Sequence, residues 1–171
     1  AALGEDAGVA ELARIAGLVH DLGKYSREFQ QRLEGGHIHV DHSTAGAKEL
    51  RELFKGKPQE PLADLVAYCI TGHHAGLLDY GDSSDVPGDG TLLARLKTNV
   101  CDYSAYQDEL DLASLQFPEQ LYIRPLKDQM GFSLAFMTRM VFSALVDADF
   151  QETQETVQGK QPRGGHESIE A

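Results

Sequence analysis

The sequence has few basic residues, only two cysteines and no unbroken apolar run of membrane length. Each shortage removes a class of protein. Fifteen Lys and Arg face 27 Asp and Glu, a formal net charge of −12. That balance argues against a protein that coats nucleic acid through its own field. It leaves room for an enzyme that meets phosphodiesters through bound cations, because divalent ions carry the largest local charges at such sites. The lack of about 18 consecutive apolar residues excludes an ordinary membrane span. Ala1-Ala2-Leu3-Gly4-Glu5-Asp6 lacks the basic-then-apolar pattern of a signal peptide. Cys69 and Cys101 lie far apart with no CxxC spacing, which reads as reduced thiols in a cytoplasmic protein. No stretch alternates apolar and polar residues well enough to form a sheet.

Helical periodicity fills the space these absences leave. With 171 residues, 42% of them hydrophobic, the chain can bury the core of one domain. Val9, Leu12, Ile15, Ala16, Val19 and Leu22 recur at spacings of three and four until Gly23. Phe29 and Leu33 predict a short helix before Gly35-Gly36. Another helix spans Ser43 to Phe54, with Asp41 or Ser43 offering its N-cap oxygen. A further one contains Leu62, Leu65, Val66, Cys69 and Ile70 and stops near Gly72. Leu78 to Gly90 reads as a polar, flexible loop, followed by a short helix from Leu92 to Leu96. The longest and most apolar helix runs from Phe132 to Phe150. The fold class is therefore all-α, with a domain over 1–150 and a polar tail or linker over 151–171.

The chemistry-bearing residues stand at the ends of these helices. In Leu18-Val19-His20-Asp21-Leu22-Gly23-Lys24 the His-Asp pair closes an apolar helix. Adjacent helical residues point about 100° apart, but at a fraying end both can converge on one ion. His42 begins the next helix in Asp41-His42-Ser43. Gly72-His73-His74-Ala75-Gly76 sets two histidines between glycines that free the backbone to turn. Asp147 lies on the apolar helix, where a carboxylate is costly to bury unless it is paired or coordinates a cation. Asp149 is the competing carboxylate and ranks second, being closer to the polar tail. His37 and His39, in a Gly-rich turn, read as exposed loop residues. Imidazole with carboxylate suits Mn, Fe, Co, Ni or Zn rather than Ca. Six ligands exceed the four of a structural zinc and suffice for two ions sharing a carboxylate.

His20-Asp21, then His42, then His73-His74, then Asp147 resembles the HD superfamily of metal-dependent phosphohydrolases. Over residues 12 to 150 the four motifs look most like the HD nuclease domain of the CRISPR type I effector helicase–nuclease, an antiviral defence enzyme. The resemblance implies a helical bundle that cleaves single-stranded DNA with one or two divalent transition metals. Mn, Co, Ni or Fe lead, with Mg and Zn also admissible. It implies a first ion on His20, Asp21 and Asp147, and a second on His42, His73 and His74 with Asp21 as bridge. Asp21 and Lys24 would act in catalysis, Lys24 stabilising charge on the phosphate. A helicase domain or subunit and a type I effector complex would be the partners, in the cytoplasm and away from any membrane. The family pattern also has a histidine upstream of the His-Asp pair, and none precedes His20. Either the sequence starts after it or the first site is one ligand short. Two other readings compete: an HD phosphohydrolase of a nucleotide or cyclic dinucleotide, and an HD module without turnover. An open groove with Lys and Arg, for which Arg27, Arg32, Arg95, Lys97 and Arg124 are candidates, would distinguish the nuclease from the nucleotidase.

Overall fold

In the computed structural model, residues 9–36, 40–118 and 128–158 are described. His37, His39 and Arg124, and the tail beyond 158, lie outside them. The helices are α1 (Ala10–Val19), α2 (Arg27–Leu33), α3 (Ser43–Phe54), α4 (Glu60–Gly72), α5 (Leu92–Leu96) and α6 (Met130–Gln158). Two 3-10 turns, Leu22–Tyr25 and Ser104–Asp108, complete the elements. Among the described residues there is no strand, only two isolated bridges. The chain is all-α.

The core forms where the apolar stripes meet. Leu12, Ile15, Ala16 and Val19 of α1 pack with Ala47 and Leu50 of α3 and with Val66 and Ile70 of α4. Met137, Val141 and Leu145 of α6 join that cluster, an i, i+4 row on the face turned to α1 and α4. The edge-on pair Phe54–Phe117, 4.7 Å between centroids, extends the core to the segment before α6. Tyr103 and Tyr106 both donate to the Glu49 carboxylate, at 3.0 and 2.6 Å, and hold the second 3-10 turn to α3.

Two elements differ from the sequence reading. The residues from 78 to 90 are irregular but internally tied: Thr91 donates to Asp85 at 2.5 Å, and Lys97 Nζ donates to the carbonyls of Ser83 and Asp85. Short polar side chains that bond their own backbone replace regular ladders there. Helix α6 runs eight residues past Phe150, because a polar composition of Gln, Glu and Thr can continue a helix already seeded by a packed apolar stripe. By length and composition alone α6 is long and apolar enough to cross a membrane, where the sequence reading found no such segment. Its scattered polar residues break every apolar run without lowering the average far. It is the one such helix among the described residues. Arg139 and Asp147 stand exposed on it while Met137, Val141 and Leu145 are buried in the core.

Candidate metal centre

His20 is the C-cap residue of α1, still at φ −58° and ψ −31°, and its N–H donates to Ala16 O at 2.9 Å. Asp21, at φ −106° and ψ 14°, has left the helix. This break turns the two neighbouring side chains toward one point, with His20 Nε2 3.0 Å from Asp21 Oδ2. The 3-10 turn that follows carries Lys24, whose Nζ lies 2.6 Å from the same Asp21 oxygen.

Gly23 brings His42 into reach. Its N–H donates to His42 O at 3.2 Å. A Cβ at Gly23 would lie closer than 3.0 Å to His42 Cα and O, nearer than real Cβ atoms come. Gly23 therefore serves close backbone approach; it does not end the apolar helix, which stops at Val19, but lies within the 3-10 turn that follows. His42 Nε2 then sits 3.7 Å from Asp21 Oδ1, with the Phe29 ring of α2 edge-on to its imidazole at 5.1 Å. Asp41, one residue earlier, accepts from Thr44 N–H at 3.2 Å and so caps α3.

The His-His pair closes the cluster. α4 ends at Gly72, whose carbonyl accepts from Ala75 N and Gly76 N, and Gly76 takes the positive φ of +93° that completes the turn. His73 turns inward and is 6% exposed, while His74 faces out. Even so, His74 Nε2 reaches His42 Nε2 at 2.8 Å.

Two groups of metal-donor atoms result, each within 4.8 Å: Asp21, His42, His73 and His74, and His20, Asp21 and Asp149. Asp21 belongs to both. Asp149 Oδ1 is 3.6 Å from His20 Nε2. Asp147, the expected carboxylate, is exposed, accepts from Gln151 at 2.9 Å, and is not among the gathered donors, where Asp149 stands instead. Two residues along a helix are about 200° apart, so Asp147 and Asp149 cannot share a face. The row Met137–Val141–Leu145, extended by four, lands on Asp149. That signal was present in the sequence.

The donors fit divalent ions. His20 Nδ1 hydrogen bonds to Gly17 O at 2.9 Å and His73 Nδ1 to Ile70 O at 2.6 Å. With Nδ1 as donor, the His73 ring presents the lone pair of Nε2 inward, as metal-bound histidines do, and His20 would do the same once an ion displaced the Nε2 proton it shares with Asp21. His73 Nε2 is buried and finds no hydrogen-bond partner among the described residues. An orphaned acceptor of this kind is costly unless something occupies it. Burial drives the His73 pKa down to about 4 and lowers that of His42, so both favour the neutral, ligating form. Burial also opposes charge on Asp21 and His20, but their mutual hydrogen bond prevails: Asp21 is held well below the usual carboxylate range and His20 is raised. Lys24 adds to the effect on Asp21.

Of the groove candidates, Arg27 and Arg32 stand exposed on α2. Arg95 and Lys97 are committed to internal hydrogen bonds. A cleft of about 250 Å³ opens beside Asp21, Lys24 and Asp149 and continues along α6 to Glu152, Thr153 and Thr156.

Compared with known proteins, the sequence matches the HD domain family over residues 1–111. No curated protein matches it. The family match ends before α6, so Asp149 enters on geometry alone. Members of the family are metal-dependent phosphohydrolases that bind divalent metals through such His and Asp groups. With residues 1–111 matched and the His/Asp donors gathered at its helix ends, the chain belongs to the HD domain family.

Proposed function

We propose that the chain is the nuclease of a CRISPR type I interference system, hydrolysing phosphodiesters of single-stranded DNA delivered by a helicase domain or subunit in the cytoplasm. The catalytic domain, expected over residues 1–150, would extend along α6 to Gln158, whose last turns line the cleft. The observation that carries the reading is one carboxylate, Asp21, common to two donor groups at a site open to solvent. His42, His73 and His74 would hold one ion and His20 and Asp149 the other, with Asp21 between them. When bound, divalent ions supply Lewis acidity at a phosphoryl oxygen and lower the pKa of water.

The chain's own residues do the rest. The carbonyls of Gly17 and Ile70 fix the His20 and His73 rings. Lys24 Nζ is paired with Asp21 and 41% exposed at the cleft, positioned to meet a phosphate oxygen and offset its charge. Arg27 and Arg32 stand exposed on the helix whose Phe29 touches His42 and would add positive charge for an approaching strand. An open cleft accommodates a polymer, whereas a mononucleotide calls for enclosure.

The test is digestion of single-stranded DNA with Mn, Co or Ni. Cleavage that EDTA or Asp21→Ala abolishes supports the proposal. Turnover of nucleotides without DNA cleavage assigns a small-molecule phosphohydrolase instead, and no turnover at full metal loading assigns a binding module.

A further inference from the structure

Arg95 lies on α5, outside both donor groups, yet its guanidinium spans the two segments that carry three of the donors. Nη2 donates to Asp41 Oδ1 at 3.1 Å and Ser43 Oγ at 2.9 Å. Nε reaches Thr44 Oγ1 at 3.0 Å and Asp41 Oδ2 at 3.3 Å. Nη1 donates to Thr71 O at 2.6 Å. His42 sits between Asp41 and Ser43. Thr71 is in the last turn of α4, two residues before His73. Its carbonyl is among those a helix end leaves without an intrahelical partner, and a cation there also favours the helix dipole.

We infer that Arg95 is a positioning residue for the metal centre, setting the separation of His42 from the His73-His74 turn by clamping Asp41 and the end of α4 together. Few side chains can do this. The guanidinium presents five donors in a planar fork, and its three nitrogens here reach four acceptor groups on two segments. Lysine keeps the charge but concentrates it at one point, so it can satisfy one segment at a time. Relaxing the clamp separates His42 Nε2 from His74 Nε2, now 2.8 Å apart. The group of His20, Asp21 and Asp149 makes no contact with Arg95 and stays as it is. The inference rests on the metal reading above.

The experiment is calorimetric titration of metal-free protein with Mn, accompanied by the visible spectrum of the Co-loaded form. Wild type, Arg95→Lys and Asp41→Asn are compared, with thermal unfolding recorded in EDTA. The expected result is a folded Arg95→Lys protein that binds one ion as wild type does. It binds the other about 10- to 100-fold more weakly, the range for losing an outer-shell partner, with an altered Co spectrum. Asp41→Asn should weaken the same ion. Two ions at wild-type affinity in Arg95→Lys would overturn the inference and leave the metal reading standing. So would an Arg95→Lys chain that fails to fold, which would make Arg95 a residue of the fold. A wild type that binds no Mn or Co would overturn the metal reading itself.

Discussion

Gly23 and His42 meet backbone to backbone: the Gly23 N–H donates to the His42 carbonyl at 3.2 Å, and no Cβ fits between them. The His-Asp turn and the start of α3 are thereby held at the distance that lets Asp21 face His42. Gly23→Ala forces the two backbones apart. Overpacking of this kind costs about 1–3 kcal/mol, and thermal unfolding in EDTA should register it. Metal affinity should fall as well, because the displaced atoms belong to His42, a proposed ligand.

Asp149 and Asp147 give a matched pair. Asp149→Asn should weaken one ion by about tenfold or more, since a direct ligand matters at least as much as its supports. Asp147→Asn, two residues away on the opposite face, should leave both affinities within about twofold of wild type. Titration of the two variants side by side checks the assignment, and the reverse order would restore Asp147.

The Asp41 carboxylate should make stability pH-dependent. Burial opposes its charge, but hydrogen bonds from Arg95 and Thr44 overcome this and hold its pKa well below the ordinary 3.8. A group depressed in the fold stabilises fully above its unfolded pKa and loses that contribution as pH falls toward the folded value. Asp41→Asn should therefore cost about 1–3 kcal/mol at neutral pH, the range for hydrogen bonds to charged groups. The gap between variant and wild type should narrow below pH ~4. Chemical denaturation between pH 3 and 7 would show it, and a gap constant across that range would contradict the account.

The two thiols should differ in reactivity. Cys69 is buried between α4 and α6, donates to Thr138 O at 3.5 Å, and burial pushes its pKa up to about 12. Cys101 is partly exposed. Native protein should release one equivalent of chromophore from a disulfide reagent, and denatured protein two.

The helices were legible where local signals agreed. Ser43–Phe54 and Leu92–Leu96 were read to the residue; Asp41, one of the two oxygens offered for the first start, does accept from Thr44 N–H, and the Thr91 hydroxyl that caps the second went unread. His20, Asp21, His42, His73 and His74 could be named because unusual residues at helix ends stand out against apolar runs. The close approach at Gly23 was hidden, since a glycine after a helix reads equally well as a stop. Arg95 read only as a candidate groove cation because its partners lie 24 to 54 residues away, beyond any local pattern. Asp149 was available from the i, i+4 row through Leu145, but apolar surroundings suggested Asp147 instead.

Asp21 is the one carboxylate proposed to serve two ions. Metal-free wild type and Asp21→Ala, each confirmed folded by circular dichroism, should be titrated with Mn under identical conditions. The account predicts two ions bound by wild type and both weakened by about a hundredfold or more in Asp21→Ala, beyond the effect of losing an outer-shell partner. An Asp21→Ala protein that keeps either ion at wild-type affinity would contradict it.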